Sequence, residues 1–328
     1  MTQTAFVTGG SGFVGGTLIR RLVADGWSVR ALARSDGAAA KVATAGATPV
    51  RSRLEDLPRL ADQLRACDVT FHSAACTAEW DRPEVFEQVN VGGTTAVLEA
   101  CRRAGVRRFV HVSTEAVLMA GQPLVNVNED APLRPDSKVP YCATKARAEQ
   151  VVIDANGKGG LETVIVRPRL IWGRGDTTIL PPLMAAIRSG RFRWVGNGRQ
   201  LTATTHVDNV VEGLVRAAVS EHSGRVWFVT DGEPVPFREF ITDLVATQGG
   251  TVPDKSVPVP LARAGAAAME TAWRVCHVPG TPPLTRIAVW LSALEVTIDI
   301  TRAREELRYQ PVIGRARGLA ELSRMEAT

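Results

Sequence analysis

Tyr141 and Lys145 stand four residues apart in the run Tyr-Cys-Ala-Thr-Lys, in a chain with only two tyrosines and five lysines. Four residues is about one helical turn, so both side chains can enter one cleft. A phenol and an amine so placed suit proton transfer coupled to hydride transfer, because hydride leaving a carbinol carbon must be matched by a proton leaving its oxygen. A free phenol, with a pKa of ~10, is a poor base near neutrality. A lysine charge ~4 Å away is worth up to ~4 kcal/mol at an effective dielectric of ~20. That would draw the phenol pKa down by as much as ~3 units before burial raises it again. The expectation is an acid/base tyrosine assisted by a lysine that also reaches the ribose of a nicotinamide nucleotide. A further hydroxyl should meet the substrate oxygen. Thr114 or Ser113, closing the run 109–114, can supply it, although hydroxyls at strand ends also serve as turn and cap groups.

The partner chemistry is written in the first residues. Thr8-Gly9-Gly10-Ser11-Gly12-Phe13-Val14-Gly15 lies between a β-branched run and an amphipathic helical pattern. In that context Gly9 allows a tight turn, Gly12 allows the backbone to approach a pyrophosphate, and Gly15 allows close helix packing. The helix N-terminus then offers free N–H groups to the phosphates. About 20 residues past such glycines an acidic side chain would hold the ribose of NAD. Here Ala33-Arg34-Ser35 occupies that place, and the first acid is Asp36. Guanidinium binds phosphate in a fork, so Arg34 with Ser35 favours NADP(H), and NAD(H) is the alternative.

These residues must be carried by a scaffold, and the first half reads as one. Strands are expected at 4–8, 28–33, 49–51, 69–72, 108–113 and 163–167, with helices between them, notably 85–104 and 141–155. Leu18, Ile19, Leu22 and Val23 form one face of the first helix, which Gly26 ends. Alternating strands and helices argue an α/β fold, a doubly wound parallel sheet of Rossmann type. The second half is less regular: helices near 180–189 and 208–220, a strand at 226–230, a loop-rich 190–198, and a helix over 261–278 between proline-rich stretches. The expected division is a dinucleotide-binding domain over 1–170 plus about 200–230, and a smaller substrate-binding region over about 171–199 plus 231–328.

Composition excludes other classes. Of 328 residues 45% are hydrophobic, enough for a substantial core, and the net charge of +5 is spread along the chain rather than gathered in a nucleic-acid-binding run. Cys67, Cys76, Cys101, Cys142 and Cys276 have neither CxxC spacing nor a His/Cys cluster, so no metal site is expected and reduced thiols fit best. No basic, apolar leader and no uncharged run of ~18 apolar residues is seen, which predicts a cytoplasmic protein without a spanning helix.

Taken together, the motifs resemble the extended short-chain dehydrogenase/reductase superfamily. TGGSGFVG resembles its cofactor turn, YCATK its tyrosine–lysine motif, VNVGGT its helix motif around Asn90, VSTEAV its catalytic hydroxyl segment, and VRPRLIWGRGD its arginine–proline segment. The resemblance spans about residues 4–325. RPRLIWGRGDTTIL followed by THVDNVVEGL is most similar to the 3β-hydroxysteroid dehydrogenase group, whose branches include bacterial 2-alkyl-3-ketoalkanoate reductases. The resemblance implies Thr114 as the likelier catalytic hydroxyl with Ser113 beside it, Tyr141 as acid/base and Lys145 as its partner. It also implies that Pro168 borders the nicotinamide, that Ala74 and Ala75 line the adenosine side, and that Asn90 belongs to the cofactor site. His206 and Asp208 should lie at the domain junction, His206 in a structural role. One departure is Ser52-Arg53-Leu54, where relatives often carry Gly-Asp-Leu with the aspartate on the adenine. Arg53 removes that contact and could serve the extra phosphate instead.

The expected activity is therefore interconversion of a ketone and a secondary alcohol on an apolar small molecule, sterol-like or β-keto acyl. Nucleotide-sugar epimerases and dehydratases use the same pair. Arg188, Arg191, Arg193 and Arg199 could meet their diphosphate, whereas Trp172, Trp194, Trp273 and Trp290 point to an apolar pocket. A non-catalytic dinucleotide sensor would need neither Tyr141 nor Lys145. No nucleic-acid partner is expected, and the sequence leaves the oligomeric state open, a homodimer being one option. The resemblance, with the ionisable residues that interrupt 261–278, also raises peripheral membrane contact through 261–295.

Overall fold

The computed structural model describes residues 2–326. Its first half follows strand–helix alternation: β1 (Thr4–Thr8), α1 (Phe13–Ala24), β2 (Ser28–Ala33), α2 (Asp36–Thr44), β3 (Thr48–Arg51), α3 (Leu57–Leu64) and β4 (Val69–His72). Then come α4 (Pro83–Phe86), α5 (Gly93–Ala104), β5 (Arg108–Val112), β6 (Leu124–Val127), α6 (Pro140–Ala155) and β7 (Glu162–Pro168). The helix expected over 85–104 is continuous in direction, but residues Glu87–Gly92 form a π-helical turn between α4 and α5, and Asn90 sits in that turn.

The central sheet has seven parallel strands in the order Arg225–Val229, β7, β5, β4, β1, β2, β3. Strand side chains alternate between faces. Phe6, Phe109 and Ile165 face one core with Leu60, Leu64, Val97 and Leu98 of α3 and α5. Val7 and Val110 face the other, with Leu18, Ile19 and Leu22 of α1 and Val210 and Leu214 of the helix Val207–Val219. The chain turns from β1 outward to β2 and β3, then returns past β1 to β4, so the strand order reverses between β1 and β4. Such a switch opens a crevice at the carboxyl ends of the strands.

A smaller sheet joins Val235–Pro236, Leu201–Thr202, Val296–Ile298 and β6. Its β6 comes from within residues 1–170. The helix expected over 261–278 runs from Val259 to Val275 and packs through Ala262 and Ala266 against Val289 of the helix Arg286–Ala293. Among the described residues no helix is long and apolar enough to cross a membrane, and no cluster of metal-ligating side chains occurs.

Candidate active site

The glycine turn closes β1 at the switch point. Gly9 has φ +71°, and a β-carbon there would lie 2.7 Å from the Ala74 nitrogen, so the turn is pressed against the segment leaving β4. A β-carbon on Gly15 would stand 2.3 Å from the Gly9 carbonyl oxygen; this glycine packs the helix onto the turn itself. Gly12 caps α1 without any side-chain acceptor, which leaves the first N–H groups for a ligand. Ser11 is exposed, Val14 packs on the core, and the Phe13 ring meets Gly175, beyond β7. The turn thus fits a pyrophosphate on an observed backbone cradle, with Ala74 and Ala75 beside it.

At the outer end of the crevice Ser35 caps α2, accepting from Ala38 N at 3.2 Å. Arg34 is exposed, and among the described residues its guanidinium has no partner; the same holds for Arg53. Arg51, which pairs with Ala33 across the sheet, forms an ion pair with Asp36. The first acid after β2 is therefore held by an arginine that sequence reasoning did not single out. Leu54 is turned inward, against Gly93 of α5.

At the end of β5 the hydroxyls separate. Ser113 is buried and donates to Glu149 of α6, whose carboxylate also holds Arg167 of β7. Its one proton is committed there, which makes Ser113 part of a buried network. Thr114 is close enough to the Tyr141 phenol to pull its pKa down, against the larger upward effect of burial. It donates to Glu115 at 2.7 Å and accepts from Ala116 N at 3.2 Å. Glu115 is in turn paired with the fully buried Arg169, which donates to Thr202 of the smaller sheet at 3.1–3.2 Å. Two consecutive hydroxyls are thus each held by a buried carboxylate–arginine pair. The signal for this was present in Glu115, next to the hydroxyls, and in Arg167 and Arg169 flanking Pro168. It could not be read without knowing which strands are neighbours.

Lys145 is buried and donates to the Val112 carbonyl at 2.8 Å. Burial lowers its pKa to about 8, against a smaller opposing pull from Glu149. The phenol of Tyr141 is pushed up, first by burial and next by the charge of Glu115. The expected lowering by Lys145 is therefore overturned in the chain as it stands. Desolvation is the larger effect, and the ammonium is turned to a backbone carbonyl. Beneath the lysine lie two buried imidazoles. His72 bonds to Thr8 (2.8 Å) and Thr94 (3.0 Å), and His111 stacks on it. Burial and the nearby Lys145 hold both neutral, His72 at about 3.

Asn90 does not face the crevice with a free amide. Its oxygen accepts from Cys76 N (2.8 Å), and its nitrogen donates to Cys76 O (3.3 Å) and to Thr144 (3.1 Å). It ties the segment after β4 to α6 and so builds the wall of the site. Pro168 ends β7, buried within the sheet opposite Val229. His206 accepts from Asp208 N (3.3 Å) and packs edge-on against Trp172, a structural position. Trp172 and Trp194 are core residues of the second half, so neither lines an open pocket; Trp290 packs against Gly121. Of the second-half arginines, Arg191 and Arg193 make local surface contacts, to Ser189 and to Gly190 and Phe192.

The parallel sheet, the glycine turn at its switch point and the tyrosine, lysine and threonine gathered at the end of β5 define a dinucleotide-binding oxidoreductase of Rossmann architecture. Residues 6–261 match the 3-beta hydroxysteroid dehydrogenase/isomerase family, and the chain belongs to that family. It is an NAD(P)-dependent enzyme acting on CH–OH or C=O groups. It is 48% identical to the 4-hydroxy-2-methyl-3-oxo-4-farnesyl-3,4-dihydroquinoline-1-oxide ketoreductase of Stigmatella aurantiaca, over 97% of this chain and 95% of that protein. It is 36% identical to a 2-alkyl-3-oxoalkanoate reductase of Stenotrophomonas maltophilia, over 98% of each. Among solved structures it resembles MoeE5 in complex with UDP-glucose and NAD, at a TM-score of 0.75 and 25% identity, covering 99% of this chain and 100% of that one.

Proposed function

We propose that this chain is an NADP(H)-dependent reductase of an apolar ketone, with Tyr141 as the acid/base, Lys145 as its partner and Thr114 as the adjoining hydroxyl. The observation that carries the reading is the glycine turn at the switch point of the sheet together with Tyr141 and Lys145 one turn apart on α6, Lys145 donating to the Val112 carbonyl at the carboxyl end of β5. The glycine turn Gly9–Gly15 and the N-terminus of α1 would hold the dinucleotide, which in its reduced form would supply the hydride. Tyr141 gives its phenolic proton to the substrate oxygen as the carbonyl carbon is reduced, and is reprotonated from solvent. Lys145, held by the Val112 carbonyl and buried, orients the ribose side of the cleft. The preference for NADP(H) rests on Arg34 and Arg53 lying exposed and unpartnered, and on Asp36 being engaged by Arg51. The relatives named for farnesyl-quinoline and 2-alkyl-3-oxo acid substrates support an apolar ketone. The surface contacts of Arg191 and Arg193 weigh against a nucleotide-diphosphate site.

The test is nicotinamide oxidation, followed by absorbance with NADPH and with NADH, against ketosteroids, 2-alkyl-3-oxo acids and simple ketones, with conversion of UDP-glucose followed in parallel by chromatography of the sugar nucleotide. Turnover of an apolar ketone with NADPH is expected. Turnover of UDP-glucose alone would overturn the reading.

A further inference from the structure

A chain of hydrogen bonds runs from the glycine turn to the helix that carries Tyr141 and Lys145, and a buried imidazole stands at its centre. Thr8, the last residue of β1, is fully buried; its hydroxyl accepts from Ala74 N at 3.3 Å and meets His72 Nδ1 at 2.8 Å. His72 Nε2 meets the Thr94 hydroxyl at 3.0 Å. Thr94 in turn contacts the Asn90 carbonyl oxygen at 2.6 Å. A carbonyl oxygen can only accept, so the single proton of Thr94 lies on that bond. The ring must then donate through Nε2. A neutral imidazole with its proton on Nε2 has Nδ1 free to accept, so Thr8 donates to it. Beyond this backbone contact the Asn90 side chain accepts from Cys76 N (2.8 Å) and donates to Thr144 (3.1 Å). The Thr144 hydroxyl reaches the carbonyls of Pro140 and Tyr141 at 2.7 and 3.1 Å. We infer that His72, held as its Nε2–H tautomer, is a positioning residue that locks the glycine turn to the π-helical turn and to the start of α6, so that the dinucleotide cradle and the Tyr141–Lys145 helix are set as one piece. This rests on the glycine turn as the dinucleotide site and goes beyond it by naming what holds that site in register with the tyrosine.

The placement of the ring suits this task. It lies on β4 beside β1, the two strands between which the sheet order reverses. Thr8 directly precedes Gly9, and the Ala74 nitrogen that donates to Thr8 is the atom a Gly9 β-carbon would meet at 2.7 Å. The chain therefore grips the turn at its tightest point. At the other end it grips the π-helical turn Glu87–Gly92, an irregularity of a kind frequent at functional sites. The groups facing the ring keep it neutral. Burial does so first and the Lys145 charge from α6 next, while His111, stacked on it from β5 at 5.5 Å, is itself neutral and Phe109 is apolar. A neutral ring is what the chain requires, because a second ring proton on Nδ1 would turn the buried Thr8 proton away from its acceptor.

Two measurements on the full-length protein test this. Nitrogen-15 spectra of its five histidines read each ring tautomer directly, and the His72 signal is identified by nuclear Overhauser contacts to the Thr94 methyl group. A ring protonated on Nε2 is expected; one protonated on Nδ1 overturns the proposal. The second measurement is calorimetric titration with NADPH and NADH. Thr94→Val cuts the chain at a buried residue of α5 that is no part of the glycine turn. It should weaken the dinucleotide that the wild type binds more tightly by about tenfold, the order of losing one buried hydrogen-bond partner. Thr94→Ser, which keeps the hydroxyl, should restore the affinity. Because the effect passes through the ring, adding Thr94→Val to His72→Phe should cost little further affinity. A purely structural role would lower the melting temperature of these variants and leave dinucleotide affinity unchanged, and that result overturns the proposal, as does full additivity in the double variant. If Thr94→Val does not fold, His72→Gln takes its place. Its amide can still donate to Thr94, but Thr8 loses its acceptor, and the same weakening is expected. Failure of the underlying reading is separable: a wild-type protein that binds neither NADPH nor NADH removes the glycine turn as the dinucleotide site, whatever the ring tautomer is.

Discussion

Lys145 offers a sharp test of how function and stability trade in this site. Its ammonium is buried with one backbone acceptor, Val112 O at 2.8 Å. Lowering its pKa from 10.5 to about 8 means that holding it charged in the fold costs about 3 kcal/mol at neutral pH. Lys145→Met keeps the length and apolar character of the side chain and removes the charge. It also leaves the Val112 carbonyl without its partner, a loss of about 1–2 kcal/mol. Glu149 remains satisfied by Arg167 and Ser113, so no new buried charge is orphaned. The expected balance is a gain of about 1–2 kcal/mol in unfolding free energy at pH 7, against a whole-protein stability on the order of 10 kcal/mol, while turnover falls steeply. The pH dependence carries the sign. Between about pH 8 and 10.5 the unfolded chain binds the extra proton, so wild-type stability rises with pH through that window. The advantage of Lys145→Met is therefore full below pH 8 and fades as pH approaches 10.5. Urea unfolding of both proteins at pH 7 and above pH 9, followed by tryptophan fluorescence, measures it. A variant less stable than wild type at pH 7, or a gain that does not change with pH, would refute the reasoning.

Tyr141→Phe is expected to cut turnover by about 10²–10⁴-fold and to leave dinucleotide affinity, measured by fluorescence titration, near wild type. Arg34→Asp should weaken NADPH binding by about tenfold or more while changing NADH binding little, because a carboxylate repels the extra phosphate; equal effects on both dinucleotides would move the preference to Arg53 or Arg51. Gly15→Ala forces a β-carbon to within 2.3 Å of the Gly9 carbonyl oxygen and should lower stability by about 1–3 kcal/mol, with loss of dinucleotide binding in calorimetry. Leu261, Val275 and Val278 are exposed on and just beyond the helix Val259–Val275. If that face meets lipid, the full-length protein will co-sediment with anionic vesicles at low salt and less at high salt; no sedimentation at low salt removes the membrane reading.

Local patterns were enough for the scaffold and for half of the chemistry. Strand and helix periods, the glycine turn and the one-turn spacing of Tyr141 and Lys145 depend on residues close in sequence, where side-chain direction follows from secondary structure alone. So β4 runs from Val69 to His72 as expected, α6 carries the pair on one face, and the turn opens α1 at the place its glycines required. What the tertiary structure decided was the meaning of groups far apart in the chain. Ser113 and Thr114 look interchangeable as neighbours. Only the approach of Glu149 from α6 and of Arg167 from β7 ties the first to one buried ion pair, while Glu115 and Arg169 hold the second. That the Asn90 amide bridges Cys76 and Thr144 was likewise invisible in the sequence. The phenol's expected shift had the wrong sign for the same reason. Sequence places a cation four residues away, but desolvation and the direction in which that cation points depend on the packing of β5, β7 and α6 around it. Charge and burial compete at every such position, and burial is set by residues that the local sequence does not contain.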